Sequence, residues 1–353
     1  MNTSLRIAMC VGGGIAGFYA TQNVPRMLSP AAPPVVLTEA SRIKPFKGDV
    51  KSLYAECLQA TPQQIVSLRN QVEKDPGDVE ARARLLASTS FSMGDRGNAR
   101  LHAEQAVWFA ANLPGSEILK EVRINSDQMT DAHTFDLVSD LFRKALDKQP
   151  KSVPLLMNYA RFIKIGGTQE AIELQKRAVA IHPRDASLYY ELGMTYQLAD
   201  CGIFNRSPEN APQALANLIK ARDLGYEMNG SYITKSAFQA GETAIAIREA
   251  KAGLKDKNDG DAFHCGHTIL GQIALQKGDI ASAKSHLLAS AKVEGSPVLG
   301  SFGPSMDLAK LLLEKGERST VEEYLKLCGE FWEDERQVSW LKEVRDGGTP
   351  NWD

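Results

Sequence analysis

Apolar and small residues recur along this chain at helical spacing, in a pattern that repeats. From His264 to about Pro297, Leu270-Gly271 sit midway along one apolar stripe and Ala274 lies three beyond the glycine. Gly278-Asp279 then interrupt the stripe, and Ala283, Leu287 and Ser290 carry a second one. Spacings of three and four are those of an amphipathic α-helix, so the unit predicts two helices joined by a turn. Packing explains the residue types. Gly271 and Ala283 are small where the paired helices must cross closely, Gly278 permits the tight turn, and Leu270 and Leu287 fill the seam.

The same order returns elsewhere. Leu86-Ala87 lead to Gly94, Ala99, Ala103 and Ala106; Tyr159-Ala160 lead to Ala171, Ala178 and Pro183. Leu192-Gly193 and Tyr196 lead to Ala214, Leu218 and Ala221, with an insert from Asp200 to Asn210. Leu308-Ala309 and Leu312 lead to Gly316, Val321, Leu325 and Cys328. Phe142, Ala145 and Pro150 mark the second helix of a further unit, and Ala246, Ala250 and Gly253 that of another. The count is about seven degenerate units, from roughly residue 76 to 334.

This pattern resembles the tetratricopeptide repeat. The segments from His264 and from Gly300 are similar to a group of little-characterised bacterial tetratricopeptide proteins. The resemblance implies an all-α fold, a right-handed α-solenoid of tetratricopeptide-like helix pairs, with residues 50–353 forming the array and its capping helices. The ends read as caps. Thr61-Pro62-Gln63-Gln64 is a capping box with proline at the first helical position, followed by an apolar stripe of Ile65, Leu68 and Val72. Trp332, Val338, Trp340 and Leu341 predict a last helix covering the array, stopped by Gly347-Gly348.

The N-terminus supports two readings. Asn2 to Arg6 followed by a charge-free run from Ile7 to Ala20 suits a signal peptide or short membrane anchor over residues 1–26. Residues 27–49, with Pro30, Pro33, Pro34 and Pro45, then read as an extended linker. Alternatively, Gly12-x-Gly14-x-x-Gly17 with Glu39 after the apolar run Val35-Val36-Leu37 resembles the first βαβ unit of a flavin- or NAD-dependent oxidoreductase. That reading needs Val35–Leu37 as a parallel strand, and no further strands follow.

Charge narrows the partners. Lys plus Arg number 41 and Asp plus Glu 43, a formal net charge of −2, which lacks the excess positive charge of a nucleic-acid footprint. Cys10, Cys57, Cys201, Cys265 and Cys328 form no C-x-x-C pair. His264, Cys265 and His267 lie within one helical turn but supply only three candidate ligands where a closed zinc site takes four. No catalytic motif is found, so no cofactor or metal is expected and the chain reads as a non-enzyme. Gly300 to Pro304 reads as a loop before a helix.

In the repeat that the chain resembles, first helices line a concave groove. By that register the groove-facing residues are Arg84, Ser88, Met157, Arg161, Lys164, Tyr190, Met194, Gln197, Thr268, Gln272 and Lys310. Arg161, Lys164 and Tyr190 are expected at the centre of the binding surface. Cations, methionines and an aromatic ring suit an extended peptide or helix with acidic character. The expectation is a protein-protein interaction scaffold, exported or anchored in the cell envelope.

Overall fold

The computed structural model describes residues 31–90, 96–124, 131–200, 208–293 and 295–352. Among these, eighteen α-helices form and no strand does; Lys44 and Asp78 make an isolated parallel bridge. No helix among the described residues is long and apolar enough to cross a membrane.

The helices fall into tandem pairs behind an N-terminal cap, α1 (Val50–Cys57) and α2 (Pro62–Lys74). The first pair is α3 (Val79–Ser88) with α4 (Arg96–Asn112). In the next, the leading helix shrinks to α5 (Ile118–Glu121) before α6 (Ala132–Lys148). Then come α7 (Val153–Ile163) with α8 (Thr168–Ile181), α9 (Ala186–Asp200) with α10 (Ala211–Asp223), and α11 (Ser231–Gln239) with α12 (Thr243–Gly253). After α13 (Gly260–Gln276) and α14 (Ile280–Ser290), a short α15 (Pro297–Phe302) precedes α16 (Asp307–Glu314) and α17 (Arg318–Cys328). The last helix is α18 (Glu335–Arg345). Every unit expected from the sequence has its helices, and the described residues form an all-α array of helix pairs.

The described residues divide into two compact units, one up to Leu188 and the other from Tyr189 onward. In the first, the seam is built on Ala106, Phe142, Tyr159, Ala171 and Ala178, all buried. Phe142 stacks on Tyr159 at 5.4 Å between ring centroids. Tyr159 Oη donates to Glu170 at 2.9 Å, and Arg143 bonds the same carboxylate at 3.1 Å, tying α6, α7 and α8 together.

In the second unit the crossings are close enough to need glycine. A Cβ on Gly193 would lie 2.8 Å from Leu218 Cγ and 3.2 Å from the Ala214 carbonyl. On α13, a Cβ on Gly271 would lie 2.2 Å from Leu308 Cδ2 on α16 and 3.1 Å from His286 Cβ on α14. Gly266 serves the other side of α13, where a Cβ would meet the Ala250 carbonyl of α12 at 2.8 Å. The turns repeat too. Gly241, Gly278 and Gly316 have φ of 77°, 79° and 83°, and the residue after each donates to the carbonyl five back, closing a Schellman motif.

The capping box forms as read. Thr61 Oγ1 accepts from Gln64 N, and Gln64 Oε1 accepts from Thr61 N. At the other end Trp332 and Trp340 are buried 5.8 Å apart, and Gly347 ends α18 with a φ of 88°. Val338 is not part of that cover; it is 65% exposed, because α18 buries the side that carries Gln337, Trp340 and Val344.

Two expectations change at the N-terminus. Val35–Leu37 form no strand, and Glu39 starts a 3-10 turn at Ala40–Arg42, so the described part of the oxidoreductase fingerprint is not built. Gly12, Gly14 and Gly17, like the leader, lie outside the described residues. The proline-rich stretch is extended, but it does not hang free. Pro33 is buried, residues 31–38 lie along α4, and Lys44 N donates to the Gly77 carbonyl. Gly300–Phe302, read as loop, instead close the short helix α15.

Candidate functional site: a tyrosine platform

The groove candidates separate on inspection. Met157, Met194, Gln197, Thr268 and Gln272 are buried. The register reading placed them on an open face. However, the leading helices pack side by side, α11 on α13 and α13 on α16, and positions at the flanks of that face are covered. Gln197 bonds the Tyr232 carbonyl at 3.1 Å and also Ser236 Oγ, so it holds α11 rather than a ligand. Arg84 reaches solvent, but Glu56 at 2.9 Å and Glu80 at 3.1 Å pair its guanidinium. Arg161 is half-buried and donates to Asn158 Oδ1 at 3.0 Å. Lys164, also half-buried, caps the end of α7, and Lys310 is exposed. Arg161 and Lys164 belong to the first unit and Tyr190 to the second.

Tyr190 is the candidate around which a site assembles. Its ring stacks on Tyr226 at 4.4 Å and 20°, and meets Tyr232 edge-on at 6.2 Å. All three are half-buried, leaving ring surface accessible. Burial pushes the Tyr190 phenol well above its ordinary pKa, with Tyr232 and Tyr226 adding to the shift, so the hydroxyl stays protonated. α9 supplies Tyr190 and α11 supplies Tyr232. Tyr226 comes from the connection between α10 and α11, which is held at both ends. Gly225 turns it with φ of 91°, and Asn229 Nδ2 donates to both carboxylate oxygens of Asp259 at 2.9 Å.

Tyr226 also edges an open cleft of about 380 Å³, lined with it by Arg222, Met228, Ile233 and Glu249 among others. Arg222 pairs with Glu249 at 3.0 Å and Arg248 does so at 2.6 Å. Burial works against the Glu249 carboxylate, but the two arginines hold it below the usual carboxylate range. The cleft thus offers apolar walls and a paired charge beside a rigid aromatic surface. Tyr226 and Tyr232 were missed in the sequence because the repeat pattern located only the second helix of their unit. The available signal was the Gly225-Tyr226 pair, a helix-ending glycine followed by an aromatic residue.

The histidine cluster disperses. His264 is buried; it accepts from Ser305 N at 3.0 Å through Nε2, so its Nδ1 donates to the Ser290 carbonyl at 2.8 Å. Cys265 Sγ points to the Ser231 carbonyl. His267 pairs with His286 across α13 and α14, Nδ1 to Nδ1 at 2.9 Å, so one ring donates and the other accepts. Among the described residues no group of three ligating side chains could hold a metal. Burial raises the thiols of Cys265 to about 11 and Cys328 to about 12, which keeps both protonated and poorly nucleophilic.

No family model and no curated protein matches the chain. Among solved structures it is similar to the crystal structure of YrrB, described as a TPR protein with an unusual peptide-binding site. The identity is 17% and the TM-score 0.35, over 58% of this chain and 98% of that one. The helix-pair repeat is read from the crossings and turns of this chain.

Four histidines make stability depend on pH. Burial lowers His102 and His267 to about 4, and it lowers His264 and His286 as well. The unfolded chain takes these protons near pH 6.5, whereas folded His102 and His267 take theirs only near 4. The contribution of His102 and His267 is therefore complete above about pH 6.5 and lost as pH falls through the window to 4, with His102 alone accounting for about 3 kcal/mol. Urea unfolding at pH 7.5 and pH 4.5 should show the loss, and His102→Gln should reduce it; equal stability at both values would contradict this assignment.

Proposed function

We propose that the chain is a non-catalytic scaffold that binds an extended segment of another protein across Tyr190, Tyr226 and Tyr232. The observation that carries this reading is the platform itself. Three half-buried rings from two successive repeats are fixed in place and stand beside a cleft of mixed character. Tyrosines offer large contact area at low entropic cost, which is why they are frequent binding hot spots. Proline rings and aliphatic side chains are the groups such faces accept. The protonated buried thiols and packed histidines favour a role without catalysis.

Peptides selected from a displayed library on the full chain test the platform. Tyr226→Ala, which lies between helices, should weaken their binding tenfold or more at an unchanged helical content. Retention of the same peptides at the same affinity would remove the site. The charge-free run from Ile7 to Ala20 supports an envelope location, exported or anchored. Fractionation of the full chain from a bacterial host should find it in the periplasm or membrane; recovery in the cytosol at full mass would count against that.

A further inference from the structure

Residues 31–38 run beside α4 between Arg100 and Asn112. Arg100 Nη1 donates to the Ala31 carbonyl at 2.7 Å near one end. At the other, Asn112 grips the backbone with both atoms of its amide: Oδ1 accepts from Thr38 N at 2.8 Å, and Nδ2 donates to the Val36 carbonyl at 2.9 Å. Trp108 Nε1 donates to Thr38 Oγ1 at 2.9 Å. The reach suffices: eight extended residues span at most about 26 Å, and the helix between Arg100 and Asn112 rises about 18 Å.

The receiving side is rigid. Trp108 is buried, with the Arg82 guanidinium 4.3 Å above its ring and Phe109 edge-on at 5.2 Å. Asn112 is oriented by a further bond from Nδ2 to the Trp108 carbonyl at 2.9 Å. The strap, by contrast, uses little of its own sequence. Val35, Val36 and Leu37 are 42%, 49% and 75% exposed, and only the buried Pro33 ring and the Thr38 hydroxyl contribute side-chain chemistry. Main-chain clamping with few buried apolar contacts places such a segment at the low-stability end of local opening. If it leaves, the Trp108 indole and the Asn112 amide each lose a partner, and another extended segment with a hydroxyl at the position of Thr38 would restore those bonds.

We propose that the face of α4 carrying Arg100, Trp108 and Asn112 is a second docking site. Its ligand is an extended peptide with a proline followed five residues later by serine or threonine, and residues 31–38 occupy it in cis and exchange with such a peptide in trans. The site lies in the first unit and does not depend on the tyrosine platform, so either can fail alone. The chain's own strap acts as a competitor, and apparent affinity falls with the fraction of molecules whose site is open.

The test is fluorescence anisotropy with a labelled synthetic peptide of residues 31–40, added to the full chain. Wild type should bind it weakly. The double variant Pro33→Gly with Thr38→Val, which weakens the strap and leaves the receiving face intact, should bind at least tenfold more tightly. Adding Asn112→Ala to that background should abolish the gain. Equal binding by wild type and the strap variant, or binding indifferent to Asn112, would overturn the proposal. Hydrogen exchange on the unmodified chain gives a second reading. Protection of the Thr38 amide should fall when unlabelled peptide is added in excess; unchanged protection would overturn the exchange as well.

Discussion

Everything in this molecule depends on how closely its helices can cross. A helix that packs against three neighbours at once needs its backbone within reach of each, and only small residues allow it. α13 is the clearest case: Gly266 faces Ala250 of α12, and Gly271 faces both α14 and α16. Each glycine inside a helix costs about 1 kcal/mol relative to alanine. Both are explained by the steric limit at their positions. The buried alanines Ala171, Ala214, Ala246 and Ala283 meet the same limit in a milder form.

That constraint is what made the fold legible. Small residues at crossings recur at fixed distances from turn glycines, so the pairs could be traced from Leu270-Gly271 and Ala283 outward. The cap at Thr61-Gln64 was equally plain, because a capping box is a local arrangement of neighbouring residues. Surfaces were harder to read. Register says which side of a helix a residue occupies, but whether that side is open depends on how the next helix leans on it. Met157, Met194, Thr268 and Gln272 were misread for this reason, whereas Tyr190 kept an accessible ring. Tyr226 lies in a connection where periodicity has nothing to say.

The same logic separates the two surfaces from the core that positions them. The tyrosine platform stands on helices whose spacing is set by Gly193 against Leu218 and on a connection anchored to Asp259. The α4 face stands on Trp108, clamped between Arg82 and Phe109. In both, polar or aromatic groups are fixed by packing behind them while one side stays accessible to a backbone or a ring. The N-terminal strap shows how this works, since the array already holds one extended segment by its main chain. What looked like a spacer from its prolines is held because Asn112 and Trp108 read features that composition does not reveal.

A double-mutant cycle at the tightest crossing tests the central claim most directly. Gly271→Ala puts a methyl group where Leu308 Cδ2 lies, 2.2 Å from the new Cβ position. Alone it should destabilise by about 1–3 kcal/mol through overpacking, more than the helix propensity of alanine can offset. Leu308→Ala alone should cost about 2–5 kcal/mol by opening a cavity. If close crossing governs the array, the double variant should be more stable than the sum of the two losses predicts, by about 1 kcal/mol or more, because the methyl then fills vacated space. Additive losses, or a Gly271→Ala protein as stable as the parent in urea, would contradict the account.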